Sequence, residues 1–180
     1  MATSDIITFA EVQEVALTRG VHIGLRTLGP GYRIICRDGS ESGPILGVTS
    51  GFLVTPLGLM HCDALQIFTQ NQKGDQGTRT RGGLFGLGVL IGGATFAFGW
   101  ERNCKKAEIL AINDDDAMHA RLVRYYSRFG FIPIRHVTGG KLSDLPDMLV
   151  WGGAGTRMDA NVYEMLERWT PIIRNRSISG

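Results

Sequence analysis

The sequence predicts a mixed α/β domain in which a mostly antiparallel central sheet is flanked by helices. Strand-like segments lie at residues 45–54 and 59–68, on either side of a short turn. Helical and strand-like patterns then alternate from residue 87 to residue 137. The 180 residues, 43% hydrophobic and 20% charged, are typical of a single globular domain spanning 1–180.

The first part of the chain contains one helix before its strands. Apolar residues recur on one face of residues 9–28, which predicts a helix with a break at Gly20. A short strand is expected at 32–37, followed by turn-forming residues at 38–44. The turn at 55–58 then joins the two longer strands as a hairpin.

The second part of the chain alternates helices with strands. Three aspartates at 114–116 precede one of these helices, where they are expected to cap its positive end. The predicted elements are a surface loop at 70–83, a helix at 87–102, a strand at 107–112, a helix at 117–129, a strand at 131–137, a short strand at 149–151 and a closing helix at 160–169.

Two motifs stand in this second part. Gly86-Leu87-Gly88 precedes a helix-length segment, and such a turn exposes backbone N–H groups at the positive end of the helix, which suits a pyrophosphate. Residues 125–131 read Tyr-Tyr-Ser-Arg-Phe-Gly-Phe. With the intervening strand, this order of parts resembles the acyl-CoA-binding core of the GCN5-related N-acetyltransferases, over roughly residues 44–137.

The first motif resembles the family's Q/R-x-x-G-x-G/A loop, which wraps the pyrophosphate of coenzyme A. Gly86 and Gly88 match its last two required positions. Gly83 stands where the family has Gln or Arg, and Arg81, two residues upstream, is the candidate to replace that side chain. The resemblance therefore implies that these four residues bind the cofactor.

The second motif resembles the family's Tyr-x-x-x-Gly-Phe ending, matched here by Tyr126, Gly130 and Phe131. The resemblance places Tyr126 at the sulfur of coenzyme A as general acid, and His119 where the family often has an Asn that contacts the cofactor. It also implies a sheet splayed at the strand before the loop, although the family's first strand is not evident. The backbone positions expected to pair with pantetheine are Leu65, Gln66, Ile67 and Phe68.

A general base is expected on the same strand, because transfer to an amine needs the amine uncharged. His61 and Asp63 are two residues apart and point to one face of a strand, so they are the predicted acid/base pair. Two alternatives stay open. In the first, His61 is a hydrogen-bonded histidine of the sheet and Asp63 is a solvated strand residue, and neither is catalytic. In the second, a chain of water molecules accepts the proton.

Charge and cysteine content exclude several classes. A net charge of +2 gives no electrostatic case for nucleic acid, and the three widely spaced cysteines predict no metal centre or disulfide framework. No signal sequence opens the chain, so a cytoplasmic protein is expected, or an organelle interior if a transit peptide was removed. Residues 82–100 carry no charge, which favours a buried helix over a membrane span.

The sequence thus predicts an acetyl-CoA-dependent N-acetyltransferase that acts on a primary amine in a ternary complex. The acceptor is a small amine, a protein N-terminus or a lysine. The alternative is a catalytically silent subunit of this fold, docked in a larger assembly or in a homo-oligomer through the apolar 84–100 helix. We expect at least one of Phe96, Phe98 and Trp100 to be exposed for such docking.

Overall fold

The computed structural model describes residues 6–68, 83–112, 115–138 and 154–175. The predicted strand at 149–151, Arg81 and the predicted loop before Gly83 lie outside these ranges. The helices are α1 (Phe9–Thr18), α2 (Gly83–Trp100), α3 (Asp116–Phe129) and α4 (Val162–Asn175), with a short 3₁₀ turn at Thr55–Leu57. The strands are β1 (Val21–Leu28), β2 (Gly31–Asp38), β3 (Ile45–Val54), β4 (Leu59–Ile67), β5 (Lys106–Ile112), β6 (Ile132–Val137) and β7 (Gly155–Asn161).

The seven described strands form one sheet in the order β1-β2-β3-β4-β5-β7-β6. All neighbours pair antiparallel except β4 and β5, which run parallel. Helix α2 makes the connection between these two parallel strands, which need such a crossover. The mixed, mostly antiparallel sheet flanked by helices is confirmed.

The sheet is splayed between β4 and β5. Their pairing starts at Leu59 with Lys106 and stops at Cys62 with Ile109, although both strands continue for several residues. Beyond Cys62, β4 stays paired to β3 on its other side. The predicted splay therefore exists, and it begins immediately after Cys62.

A β-bulge marks the same point of β4. Cys62 pairs with Gly51 of β3 and Ala64 pairs with Ser50, so Asp63 is the extra residue of the bulge. A Cβ atom at Gly51 would lie 1.9 Å from the carbonyl oxygen of His61, so only glycine fits opposite the bulge. Bulges re-aim side chains, and this one sits at the mouth of the splay.

Helix α2 is the centre of the helical layer. Every residue from Gly86 to Gly99 is buried, because β2 and β3, α1 and α4 surround the helix. The helix is apolar on all sides for this reason. Among the described residues, no helix is long and apolar enough to cross a membrane.

The expected exposure of an α2 aromatic is wrong. Phe96 and Phe98 are 3% and 2% exposed, and Trp100 is half-buried. Phe98 packs against Tyr32 at a centroid distance of 5.4 Å, and Trp100 against Tyr163 at 5.5 Å. The described part of α2 thus presents no exposed aromatic surface to a partner.

Two element predictions are also wrong. Residues 21–28 form β1 rather than the end of a helix. Val21 and Ile23 are buried while His22 and Gly24 are half-buried, which is a period of two. β1 pairs with β2 and forms one edge of the described sheet. At the other end, residues 155–161 form β7, and the closing helix starts only at Val162.

Gly88 of α2 is a packing glycine, which gives a stability prediction. A Cβ atom there would lie 2.9 Å from the Phe129 ring and 3.1 Å from the Tyr125 hydroxyl of α3. We expect Gly88→Ala to lower the free energy of unfolding by about 1–3 kcal/mol through overpacking. Gly92→Ala is the control, because its Cβ would meet Phe129 at an ordinary 3.6 Å. Urea denaturation measures both, and equal stability of the two variants would contradict this packing role.

Candidate functional site

A narrow cavity lies on the helical side of the splay. Its volume is about 30 Å³, which is room for about two water molecules. Cys62 and Ile109, the last paired residues of β4 and β5, are among its lining residues. Tyr126 of α3 lines it too, with Leu65 of β4. The sequence-predicted general acid is therefore located at the splay.

Helix α3 delivers Tyr126 to this cavity near its C-terminal end. Asp115 caps the helix by accepting a hydrogen bond from the Met118 N–H at 2.9 Å, as the sequence predicts for its aspartates. Gly130 ends the helix at φ 104°, a conformation that glycine adopts without strain, and the chain then turns into Phe131. The Tyr-x-x-x-Gly-Phe spacing thus places tyrosine one turn before the helix end.

The Tyr126 hydroxyl keeps its proton at all ordinary pH values. Burial, and to a smaller extent Tyr125 and Cys62, raise its pKa to about 12. The side chain is only 6% exposed, with its ring edge-on to Phe131. A buried, protonated phenol beside the splay is able to donate a proton or a hydrogen bond to a group that enters it.

His61 and Asp63 lie on the face of the sheet opposite the described helices. Met60 and Cys62 point towards the helices, so the residues between and after them point away. The Nε2 atom of His61 is 3.4 Å from Oδ1 of Asp63, which confirms the predicted proximity of this pair. His61 is completely buried, whereas the Asp63 side chain is half exposed. His61 also stacks on Phe52, with centroids 4.4 Å apart.

Glu108 of β5 is the partner that the sequence did not identify. Its Oε1 lies 3.0 Å from Nδ1 of His61, and its Oε2 accepts a hydrogen bond from Arg157 at 2.9 Å. Arg157 in turn contacts Asp159 at 3.2 Å, so a line of charged groups crosses β4, β5 and β7. The glutamate thus fixes the orientation of the imidazole.

The environment of Glu108 favours its charged form. Burial acts to raise its pKa, but the hydrogen bond with His61 and the charge of Arg157 outweigh it and hold the pKa below 4.5. The charged carboxylate therefore stabilises the fold at pH values above the pKa that Glu108 has in the unfolded chain. This contribution is lost as the pH falls through the pKa that Glu108 has in the folded protein.

We therefore expect Glu108→Gln to be less stable than the wild type at neutral pH, by an amount that shrinks below about pH 4.5. Urea denaturation of both proteins between about pH 7 and about pH 3 measures the difference. Parallel stability curves across this range would show that the carboxylate of Glu108 is not stabilised by its neighbours.

The outer half of β4 presents one edge to the splay. Leu65 and Ile67 pair with Thr49 and Gly47 of β3, and the Phe68 N–H donates to the Leu46 carbonyl at 2.9 Å. On the side facing β5, no described residue continues the ladder beyond Cys62. The backbone of the sequence-predicted positions Leu65, Gln66, Ile67 and Phe68 therefore borders the splay, with the side chains of Gln66 and Phe68 exposed.

The glycine motif occupies a different place from the one that the sequence predicts. Helix α2 begins at Gly83, so Gly86 and Gly88 lie within its first two turns rather than in a turn before it. The N–H groups left without helical acceptors belong to the first turn, at residues 83–85. Any anion at this helix end would meet these amides, and Gly88 faces α3 instead.

His119 is a half-buried residue between α3 and the sheet. Its Nε2 is 2.9 Å from the Thr156 hydroxyl of β7, which is also 2.9 Å from Nδ1 of His136. This hydrogen bond holds the His119 ring against β7. Contact of His119 with a cofactor remains a prediction.

No protein-family model and no curated protein sequence matches the chain. Solved structures do resemble it. A nourseothricin acetyltransferase superposes with a TM-score of 0.52 at 12% identity, covering 79% of this chain and 85% of that one. GCN5 of Tetrahymena superposes with a TM-score of 0.50 at 10% identity, covering 74% and 69%. With its splayed β4–β5 pair, the chain has the fold of the GCN5-related N-acetyltransferases.

Proposed function

We propose that this protein transfers an acetyl group from acetyl-CoA to a primary amine by direct attack in a ternary complex. One observation carries the proposal. The splay opens at the Cys62–Ile109 pair, with the Tyr126 phenol on its helical side and the neighbouring His61 and Asp63 on the other. A thioester held in the splay would therefore have a proton donor and a proton acceptor on its two sides.

The residues present fit acetyl-CoA. The edge of β4 beyond Cys62 offers peptide groups to the amides of the pantetheine arm, which is a chain of hydrogen-bonding groups. The first turn of α2 offers free N–H groups to the pyrophosphate. The thioester would reach the narrow cavity beside Tyr126. Arg81 is the proposed side-chain contact for the phosphates.

The acid/base groups support the transfer as follows. The half-exposed Asp63 carboxylate binds the acceptor, which arrives as an ammonium ion. One proton of this ammonium passes through Asp63 to Nε2 of His61, and Glu108 stabilises the resulting imidazolium. The uncharged nitrogen then forms the new C–N bond as the C–S bond breaks. Tyr126 gives its proton to the departing sulfur and is restored by the second proton that the nitrogen loses. One proton is released to solvent in each turnover.

The acceptor class follows from the charge on the open face. Asp63 is a half-exposed carboxylate at the mouth of the splay, so it favours acceptors that arrive as ammonium ions. A small amine, a lysine and a protein N-terminus all meet this requirement. Docking through residues 84–100, one part of the silent-subunit alternative, has lost the exposed aromatic that we expected there.

Calorimetry and turnover test the proposal in sequence. We expect acetyl-CoA to bind the purified protein at one site and to be consumed in the presence of a suitable amine, as measured by free thiol release. A panel of small amines, lysine peptides and N-terminal peptides covers the acceptor classes. Binding without turnover on the whole panel would favour the silent subunit, and no binding would reject the proposed cofactor.

A further inference from the structure

Helix α3 carries an arginine stripe, formed by Arg121, Arg124 and Arg128. Their spacing of three and four residues places them on one face, and all three are exposed. Within the described part of the chain, none of them forms an ion pair with a carboxylate. Like charges at this spacing destabilise a helix, so the stripe is better suited to holding an anion than to supporting the fold.

The stripe borders an open pocket of about 420 Å³. The three arginines line it together with Leu122 and Tyr125, which are both half-buried. An aromatic and an aliphatic surface beside three guanidinium groups suits a ligand with a flat apolar ring and a phosphate. The ring stacks on the aromatic side chain, and guanidinium groups bind phosphate oxygens in pairs.

The pocket adjoins the proposed acetyl-CoA site. Tyr125 and Phe129 both approach Gly88, in the second turn of α2, and Phe129 also approaches Gly92. Lower residue numbers of α3 therefore lie beside lower residue numbers of α2, so the two helices run parallel here. Arg121, one turn before Tyr125, lies level with the first turn of α2. A pyrophosphate at that helix end would have the stripe beside it.

We propose that the arginine stripe binds the adenosine end of coenzyme A through its 3′-phosphate. The inference rests on the proposed function. Coenzyme A carries a phosphomonoester on the ribose next to the pyrophosphate, and this group brings up to two negative charges beside the adenine. Those are the two chemical features, a ring and a compact dianion, that the pocket of Tyr125 and the three arginines complements.

Calorimetry with coenzyme A and with 3′-dephospho-coenzyme A tests the inference. We expect wild-type protein to bind coenzyme A about tenfold more tightly, and this preference to fall as salt rises. Arg121→Gln and Arg124→Gln are each expected to weaken coenzyme A binding by about fivefold to tenfold and to leave dephospho-coenzyme A binding unchanged. Arg33→Gln is the control, since it removes the same charge from an exposed position on β2.

Each outcome separates this inference from the proposed function. Equal affinities for the two ligands would overturn the stripe's role and leave the proposed function intact. Equal losses for both ligands in the arginine variants would move the stripe to the pyrophosphate and overturn the 3′-phosphate assignment. Failure of both ligands to bind would overturn the cofactor itself, and with it this inference.

Discussion

His61→Gln is expected to lower kcat by about 10²-fold or more at neutral pH, within the usual range for a general base. Glutamine keeps a donor for the Glu108 carboxylate and a similar size, but its amide accepts no proton at neutral pH. The buried position and the stack on Phe52 restrict what else changes. Steady-state kinetics with saturating acetyl-CoA gives kcat, and calorimetry is expected to show unchanged acetyl-CoA affinity.

Two variants control this result. His22→Gln makes the same chemical change at a half-buried position of β1 and is expected to have wild-type kcat. Asp63→Asn removes only the group between solvent and the imidazole, and we expect a loss of about tenfold, smaller than that of His61→Gln. Wild-type turnover in a folded His61→Gln protein would instead assign the base to a water chain.

The sequence identified the pair at positions 61 and 63 because side chains two residues apart share one face of a strand. The structure confirms the contact. It also adds Glu108, which is 47 residues away in sequence and reaches His61 only through the parallel register of β4 and β5. Glu108 is a charged residue in an otherwise apolar strand segment, which the sequence shows. The local sequence does not predict the register that pairs β5 with β4 and brings Glu108 to His61.

The fold was predictable where local pattern and tertiary context agree. The strands at 45–54 and 59–67 have alternating or β-branched composition, and their turn contains Gly58 in the left-handed region at φ 60°. Residues 21–28 were missed because the helical pattern of α1 runs on into them, while pairing with β2 decides their structure. Tertiary pairing overrides local preference in such segments.

Local sequence was also insufficient to predict what covers the apolar helix α2. Its lack of charge was compatible with a partner-covered face, but the sheet and the helices α1 and α4 of this chain cover it instead. Glycines allow this close approach: a Cβ atom at Gly93 would lie 2.4 Å from the Ile173 side chain of α4. The Gly-x-Gly motif likewise has a packing role at Gly88, which sequence reasoning assigned to the cofactor alone.

Tyr126→Phe is expected to lower kcat on the order of 10²-fold while acetyl-CoA affinity changes little. Phenylalanine fills the same space beside Phe131 and Cys62, so only the proton donor is lost. Because burial raises the pKa of Tyr126 to about 12, the hydroxyl is almost entirely protonated at neutral and moderately alkaline pH. The wild-type rate should therefore show no alkaline decline caused by Tyr126 up to about pH 10.

Tyr125→Phe is a matched control for this prediction. Tyr125 is the adjacent residue, is half-buried, and has its pKa raised by burial to about 12 as well, yet it lies outside the cavity beside the splay. If Tyr126 is the general acid, Tyr126→Phe has a large loss of kcat and Tyr125→Phe a small one. Equal losses would mean that both tyrosines act through packing, and wild-type kcat in Tyr126→Phe would leave protonation of the thiolate to solvent.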